Sequence, residues 1–351
     1  MRHRTGMLAA IAGGALVLAG AGSGAASAAV KIGDWGTITA DMAGGTLVWS
    51  DTQTARTKTF TYWRTDAARA RVSGNGISGV TEPVAVRTSA GPITGAEIRA
   101  TGTARGFVLT ASGATFAGPV SWCCTAEAVE VVVSSDGDGA APHPFSVGLD
   151  GARVRWIAAA PGGAGGAVLG SADPVENAER ATSAPIPGRP GPGLASVARG
   201  IAAWADVGGS SVRWGTPADD GVSGIREAAQ GGRVLAVRAV PGFIVSVVRA
   251  GGYRVTRTDA ASGAVTVLWR GSARPQVGAG GRAVAIGAGR AVLTSRGGAA
   301  RKVGDAKGPI AAVATDGSRV AVFERVSRTA KVKGRVTTVR TTDVRIAGKV
   351  R

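Results

Sequence analysis

The chain is poor in the residue types that carry most enzyme chemistry. It has two cysteines and two histidines among 351 residues, and aromatic residues make up 5%. His3 lies in the N-terminal leader described below, which leaves His143, in the segment APHPF. This inventory argues against a Ser-His-Asp triad and against a multi-histidine metal site. We interpret His143, which lies between two prolines, as a loop residue, and we expect no metal and no cofactor.

Long apolar runs are also scarce, and the one that matters lies at the N-terminus. Arg2 and Arg4 precede an apolar stretch over residues 7–18, and Ala26-Ser27-Ala28 follows as an A-x-A cleavage site. These features predict a secretory signal peptide over residues 1–28 and a single mature domain over residues 29–351. The apolar stretch is too short for an uncleaved membrane anchor. We therefore expect a secreted protein, extracellular or associated with the cell envelope, with no transmembrane segment in its mature chain.

Acidic residues are few compared with basic ones. Lys and Arg number 41 against 23 Asp and Glu, which gives a formal net charge of +18. The excess is strongest at the C-terminus, where Arg325 to Arg351 contain nine basic residues and one acidic residue, Asp343. Such a charge favours anionic partners, which for an exported protein are a cell-wall polymer, an acidic polysaccharide or a membrane surface. Nucleic acid is not expected, because aromatic residues for base stacking are sparse here. The competing interpretation is that the positive charge reflects a high-GC genome that prefers Arg, because the Gly, Ala and Arg content is actinobacterial-like.

The sequence does contain a repeated motif, which is clearest in PIAAVATDGSRVAVF (Pro309 to Phe323). A small-apolar strand leads into a turn that ends in glycine, and an alternating apolar strand follows. We predict a two-residue turn at Asp316-Gly317. The turn glycines of the seven copies are Gly45, Gly106, Gly151, Gly200, Gly242, Gly281 and Gly317. Successive copies are 61, 45, 49, 42, 39 and 36 residues apart.

A period near 40 to 45 residues, with several strands per period, predicts an all-β β-propeller. Seven four-stranded blades fit the copies best, with six or eight as alternatives and a pair of β-sandwiches as the competing fold. Residues 30–33 are available to close the ring. We expect polar breaks between strands at Asp51–Lys58 and Arg325–Gly334, an irregular loop over Asn75–Gly95, and an inter-blade connection over Ala184–Gly193.

The two cysteines are adjacent, Cys123 and Cys124 in SWCCTA. In an oxidising compartment they could form a strained vicinal disulfide, remain as free thiols, or pair with another chain. A vicinal ring beside Trp122 would rigidify a turn at the edge of the propeller or form a small apolar platform. Asp136 and Asp138, in SSDGDGA, resemble the start of a calcium loop but lack its further ligands, so a polar turn is favoured.

Three of the eight tryptophans, Trp49, Trp156 and Trp204, follow a repeat turn at a similar distance. We predict that they share one structural position, packed between blades. The other five tryptophans could be surface residues that stack on a sugar.

The phrases AAVATDGSRVAVF and FSVGLDGARVRW resemble the blade repeat of secreted bacterial propellers of the TolB-like and WD40-like kind. The resemblance covers most of the mature chain and implies architecture alone, because the Gly-His and Trp-Asp marks of WD40 repeats are missing. Proteins of this architecture are mostly interaction modules, with some lyases and hydrolases among them.

The sequence therefore favours a non-enzymatic propeller that binds an extracellular or cell-envelope ligand. A protein is an alternative partner. The alternative is a carbohydrate-active lyase or hydrolase that acts on an anionic glycan in the central funnel, with paired carboxylates drawn from the acidic residues. No spacing singles out such a pair, so no catalytic residue is predicted.

Overall fold

The computed structural model describes residues 29–33, 36–56, 61–80, 84–88, 97–100, 107–110, 132–133, 144–150, 153–160, 166–172, 182–332 and 335–350. Regular structure in these residues is β-strand throughout. The strands form seven sheets, numbered here as blades 1 to 7 in chain order.

The strands of the first three blades, with the strand that precedes them, are β1 (Val30–Gly33); β2 (Thr37–Ala43), β3 (Thr46–Arg56), β4 (Thr61–Ser73), β5 (Gly76–Ser78) and β6 (Val84–Thr88) in blade 1; β7 (Glu97–Ala100), β8 (Phe107–Thr110) and β9 (Val132–Val133) in blade 2; and β10 (Pro144–Asp150), β11 (Arg153–Ala159), β12 (Ala167–Ala172) and β13 (Thr182–Ile186) in blade 3.

The remaining strands are β14 (Ala195–Ala198), β15 (Ile201–Trp204), β16 (Ser211–Ala218) and β17 (Gly221–Ala229) in blade 4; β18 (Arg233–Val240), β19 (Phe243–Arg249), β20 (Tyr253–Asp259) and β21 (Val265–Gly271) in blade 5; β22 (Gln276–Gly280), β23 (Ala283–Ala288), β24 (Ala291–Ser295) and β25 (Arg301–Asp305) in blade 6; and β26 (Ile310–Thr315), β27 (Arg319–Val332) and β28 (Arg335–Lys349) in blade 7.

The seven sheets form a closed ring. The first strand of each blade contacts the first strand of the next, from β2 through β7, β10, β14, β18 and β22 to β26, and β26 contacts β2. The fold is therefore a β-propeller, which confirms the prediction. The strand at residues 30–33 closes the ring as expected, because β1 pairs with β28 at Val30↔Val344 and becomes the outer strand of blade 7.

Five blades have four antiparallel strands, and blades 1 and 2 depart from this pattern. In blade 1 the outer strand is divided into β5 and β6, which both pair with β4. The predicted loop at Asn75–Gly95 is thus wrong in part, because it contains these two strands. In the described part of blade 2 there are three strands, and β8 pairs with β9 in parallel.

The repeated glycine turns join the first and second strands of the blades. Gly45, Gly200, Gly242, Gly281 and Gly317 all have positive φ, between 57° and 92°, which suits glycine better than any L-residue with a side chain. Four of these turns contain two residues, but the prediction for blade 7 is wrong. There the flanking pair is Thr315↔Val320, and Asp316 Oδ1 accepts hydrogen bonds from the backbone N–H groups of Ser318 and Arg319, which makes a longer Asx-type turn.

Small residues in the first strands let the blades converge at the axis. A Cβ built on Gly280 would lie 2.0 Å from the backbone oxygen of Thr315 in blade 7, and one on Gly148 would lie 2.0 Å from that of Val197 in blade 4. Farther out, larger apolar side chains from adjacent blades meet. Phe323 of blade 7 is fully buried and packs on Trp49 of blade 1, with ring centroids 6.2 Å apart.

The two expected polar breaks are wrong. The first lies inside β3 as far as Arg56, and the second lies inside β27 as far as Val332; the last two residues of each, 57–58 and 333–334, lie outside the described residues. Thr and Val have high β-propensity, and in β27 several polar side chains are exposed, so polarity there does not interrupt the strand.

The expected connection over Ala184–Gly193 begins later than predicted. Its first three residues complete β13, where Pro185 lies on the outer strand of blade 3 and its missing N–H costs no ladder bond. The rest joins blades 3 and 4.

Candidate functional site

Most of the residues singled out from the sequence lie outside the described part of the chain. These are Trp122, Cys123, Cys124, Asp136, Asp138 and His143. In the described ranges, no three His, Cys, Asp or Glu side chains lie close enough to hold a metal ion. In those same ranges there is also no helix that is long and apolar enough to cross a membrane.

The three tryptophans after the repeat turns share one position, as predicted. Each is the fourth residue of the second strand of its blade, and Trp49, Trp156 and Trp204 are 3%, 6% and 0% exposed. Trp204 packs against blade 3 through Ile157 and Leu169, and its Nε1 donates to Pro187 O at 2.7 Å. These side chains are core residues, which leaves none of the three for stacking on a sugar.

An ion pair crosses the centre of the ring. Arg238, on the first strand of blade 5, donates to Asp41, on the first strand of blade 1, and both side chains are largely buried. The blades are separated by blades 6 and 7, so the pair joins nearly opposite sides. Asp150, on the first strand of blade 3, pairs with Arg155 at 2.9 Å. Both acidic side chains described on the first strands are therefore engaged by arginine.

The two faces of the ring differ. In a four-stranded meander the turns between the first and second strands lie at one end of the blade, and those between the second and third strands lie at the other. We call these the glycine-turn face and the hairpin face. On the hairpin face the turns of blades 5 and 6 are short: three residues separate Arg249 from Tyr253, and Gly289-Arg290 alone joins β23 to β24. The corresponding hairpins of blades 7 and 1 are much longer.

The hairpin of blade 7 extends far beyond its sheet. The last pair between β26 and β27 is Ile310↔Glu324, and the last between β1 and β28 is Gly33↔Thr342. Beyond these, β27 and β28 continue to pair with each other as far as Val332↔Arg335. We call residues Arg325–Thr342 the basic arm. Eight residues in each strand give a length of roughly 25 Å.

The basic arm has charge of one sign. It contains Arg325, Arg328, Lys331, Lys333, Arg335 and Arg340, and no Asp or Glu. Arg328, Lys331, Arg335 and Arg340 are exposed, and the side chain of Arg328 keeps 57% of its surface in solvent. Near the tip, Val336 is 73% exposed. Because these cations project together from one ribbon, their fields add over its length.

Two buried acids anchor the base of the arm. Glu324 and Asp343 face each other across the β27–β28 ladder, at 0% and 2% exposure. Glu324 accepts from Arg345 Nε at 3.1 Å and from the backbone N–H of Lys307. Asp343 accepts from Arg328 and from Thr341 Oγ1. These bonds fix the point where the arm leaves the ring, so the arm projects from a rigid base.

A second charged cluster, in blade 4, joins one arginine to two carboxylates. Arg213 Nη1 lies 2.9 Å from Asp206 Oδ2, and its Nε lies 3.0 Å from Glu227 Oε2. The hydrogen bond from Arg213, followed by one from Ser211, holds the pKa of the Glu227 carboxyl below its ordinary value. Asp206 also accepts from the backbone N–H of Arg189 at 2.5 Å. The cluster ties the connection between blades 3 and 4 to the ring.

Sequence reasoning found the charge of the basic arm but missed its structure. A usable signal was present, because Lys333-Gly334 separates two runs of alternating Val, Thr and basic residues, which is a hairpin pattern.

Comparison with known proteins adds no family. No protein-family model matches the sequence, and no curated protein matches it. Among solved structures, the chain is similar to TolB from Acinetobacter baumannii, with 13% identity and a TM-score of 0.34 over 86% of this chain and 80% of that one. It is also similar to apo AztD from Citrobacter koseri, with 9% identity and a TM-score of 0.39 over 88% and 99%.

A prolyl endopeptidase structure matches with 12% identity and a TM-score of 0.38 over 86% of this chain. The present chain spans 42% of the length of that enzyme.

Proposed function

We propose that this protein is an exported β-propeller that binds an anionic polymer of the cell envelope through its basic arm, without chemical turnover. The observation that carries the proposal is the arm itself, which bears six basic and no acidic residues on a ribbon held by a buried anchor. The features of residues 1–28 support export.

Fold stability does not account for the arm. Blade 6 closes its sheet with strands of five and six residues, whereas β27 and β28 have 14 and 15. The extra residues expose several like charges close together, which repel one another. A polyanion would relieve this repulsion and release the counterions that accompany the cations.

Sedimentation with isolated bacterial cell wall tests the proposal. The wild-type protein is mixed with the wall across a salt series, and the supernatant is assayed for released sugar. We expect retention that weakens as salt screens the arm, and no sugar release. Each Lys or Arg near an anionic surface contributes about 1 kcal/mol, so the triple variant K331Q/R335Q/R340Q should bind at least about tenfold more weakly.

A matched triple variant controls for net charge. R199Q/R270Q/R282Q removes the same three charges from exposed positions, two of them in turns of the glycine-turn face. We expect it to bind like the wild type. Equal retention of the arm triple and the wild type would overturn the proposal. Sugar release would replace it with a carbohydrate-active enzyme, the alternative that the sequence leaves open.

A further inference from the structure

The basic arm has two chemically different faces. Strand alternation and the β27–β28 register place Ser327, Thr329, Lys331, Val336, Thr338 and Arg340 on one face, here called the open face. The other, here called the valine face, has Val326, Arg328, Ala330, Arg335, Thr337 and Val339. All six residues of the open face are exposed, whereas Val326, Ala330 and Val339 are half-buried.

The open face lies on the side of blade 1. Phe323 precedes it on the same side of β27 and packs on Trp49 of blade 1. At the base of the arm, Arg325 Nη2 donates to the backbone oxygen of Gly36, the residue before β2 of blade 1, at 3.2 Å. Beyond Arg325 the side chains of this face are exposed, so a ligand can reach them.

The open face combines cations with hydroxyl groups. Lys331 and Arg340 provide the charge, and Ser327, Thr329 and Thr338 provide hydroxyls that can donate or accept a hydrogen bond. Thr329 and Thr338 lie directly opposite each other in the middle of this face. The Ser327↔Arg340 pair lies nearer the base, and Lys331 lies nearer the tip. An acidic sugar chain offers the complementary groups, carboxylates for the cations and hydroxyls for the threonines.

Resting on the proposed function, we infer that the open face is the binding site and that its ligand is a linear acidic polysaccharide laid along the ribbon. The valine face takes little part. Three of its six side chains, Val326, Ala330 and Val339, are half-buried and apolar, so they offer no hydrogen bonds to a sugar chain.

The choice of face is tested by comparing substitutions on the two faces at nearly the same distance from the base of the arm. Lys331 and Arg335 lie one pair apart near the tip, and Arg340 and Arg328 lie one pair apart nearer the base, each couple on opposite faces. The probe is polygalacturonate, titrated by calorimetry with the full chain. K331Q and R340Q should each weaken binding about fivefold, whereas R335Q and R328Q should weaken it less than about twofold. Thermal melting checks that each variant is folded, because R328Q leaves Asp343 without its arginine.

Hydroxyl removal tests the choice of ligand. The isosteric double variant T329V/T338V keeps every charge and should weaken polygalacturonate binding at least about threefold, since each hydrogen bond contributes about 1 kcal/mol. T337V, on the valine face, is its control and should have no effect. Inorganic polyphosphate can accept hydrogen bonds from the threonines but has no hydroxyls to donate, so its binding should weaken less than that of polygalacturonate.

The outcomes separate this inference from the proposed function. Equal losses from the two faces would overturn the open face as the site, while the requirement for the arm would stand. Unchanged polygalacturonate binding by T329V/T338V would overturn the polysaccharide as ligand and leave charge alone as the basis of recognition. No loss from any arm substitution would overturn both.

Discussion

Blades 6 and 7 are neighbours with four antiparallel strands each, and the largest difference between them is the length of one hairpin. They share an interface in which Ala283, Ala285 and Val292 of blade 6 pack against Val313, Val320 and Val322 of blade 7. Blade 6 achieves this with strands of five or six residues, and blade 7 extends two strands beyond its sheet, β27 by eight residues and β28 by seven. The comparison shows that the core needs only the short version, so the basic arm is an addition to a complete blade.

A cavity in the core between blades 7 and 1 should have the largest effect on stability. Phe323→Ala removes a fully buried ring that packs on Trp49, and the cavity should lower the free energy of unfolding by about 4 kcal/mol. Phe323→Leu keeps most of the volume and should cost less than about 1.5 kcal/mol. Urea unfolding followed by tryptophan fluorescence measures both. Similar values for the two variants would show that the interface between blades 7 and 1 is loosely packed.

Breaking the ion pair at the axis should have an intermediate effect. Arg238→Met or Asp41→Asn alone leaves a largely buried charge without its opposite, and each should destabilise the ring by about 2 kcal/mol. The double variant should lose less than the sum, with a coupling energy of about 1 kcal/mol in a double-mutant cycle. Additive losses would mean that the pair does not brace the ring.

Removing most of the arm should change stability little. Replacement of Thr329–Thr338 by Asn-Gly closes the hairpin on the Arg328↔Val339 pair and keeps the bonds of Arg328 and Thr341 to Asp343. Because the removed ribbon is two-stranded and exposed, the free energy of unfolding should change by less than about 1 kcal/mol. A loss comparable to that of Phe323→Ala would show that blade 7 needs its arm to fold.

The smallest effect should come from the charge cluster in blade 4. Since hydrogen bonds from Arg213 and Ser211 lower the pKa of Glu227 in the folded protein, the stabilisation is present above the ordinary value of 4.5 and is lost as the pH falls through the lowered value. The pair is exposed, so the amount should be below about 0.5 kcal/mol. Unfolding free energies at pH 6 and pH 3 for the wild type and Glu227→Gln measure it. An equal drop in both would assign the acid sensitivity to other groups.

The sequence predicted the ring because a blade repeats its local chemistry. Glycine recurs in the turns because each of these turns needs a residue with positive φ. Tryptophan recurs because several blades have the same buried position facing a neighbouring blade. Closure by the strand at residues 30–33 was foreseen on the same logic, since a ring leaves one strand position for the other terminus.

The site was harder to predict because it departs from the repeat. The polar segments of β3 and β27 suggest breaks between strands, but each strand continues through its polar segment as far as Arg56 and Val332. The pairing of Asp41 with Arg238, 197 residues apart, depends on ring geometry that no local pattern contains. The buried anchor of Glu324 and Asp343 likewise follows from cross-strand register.

The most direct test compares the protein lacking Thr329–Thr338 with the wild type in retention on isolated cell wall at about 0.15 M salt, where exposed charges farther apart than about 8 Å are largely screened. The account predicts a protein that melts like the wild type yet is retained at least tenfold less, while R199Q/R270Q/R282Q is retained normally. Full retention of the shortened protein would contradict it and move the binding site from the basic arm to the ring.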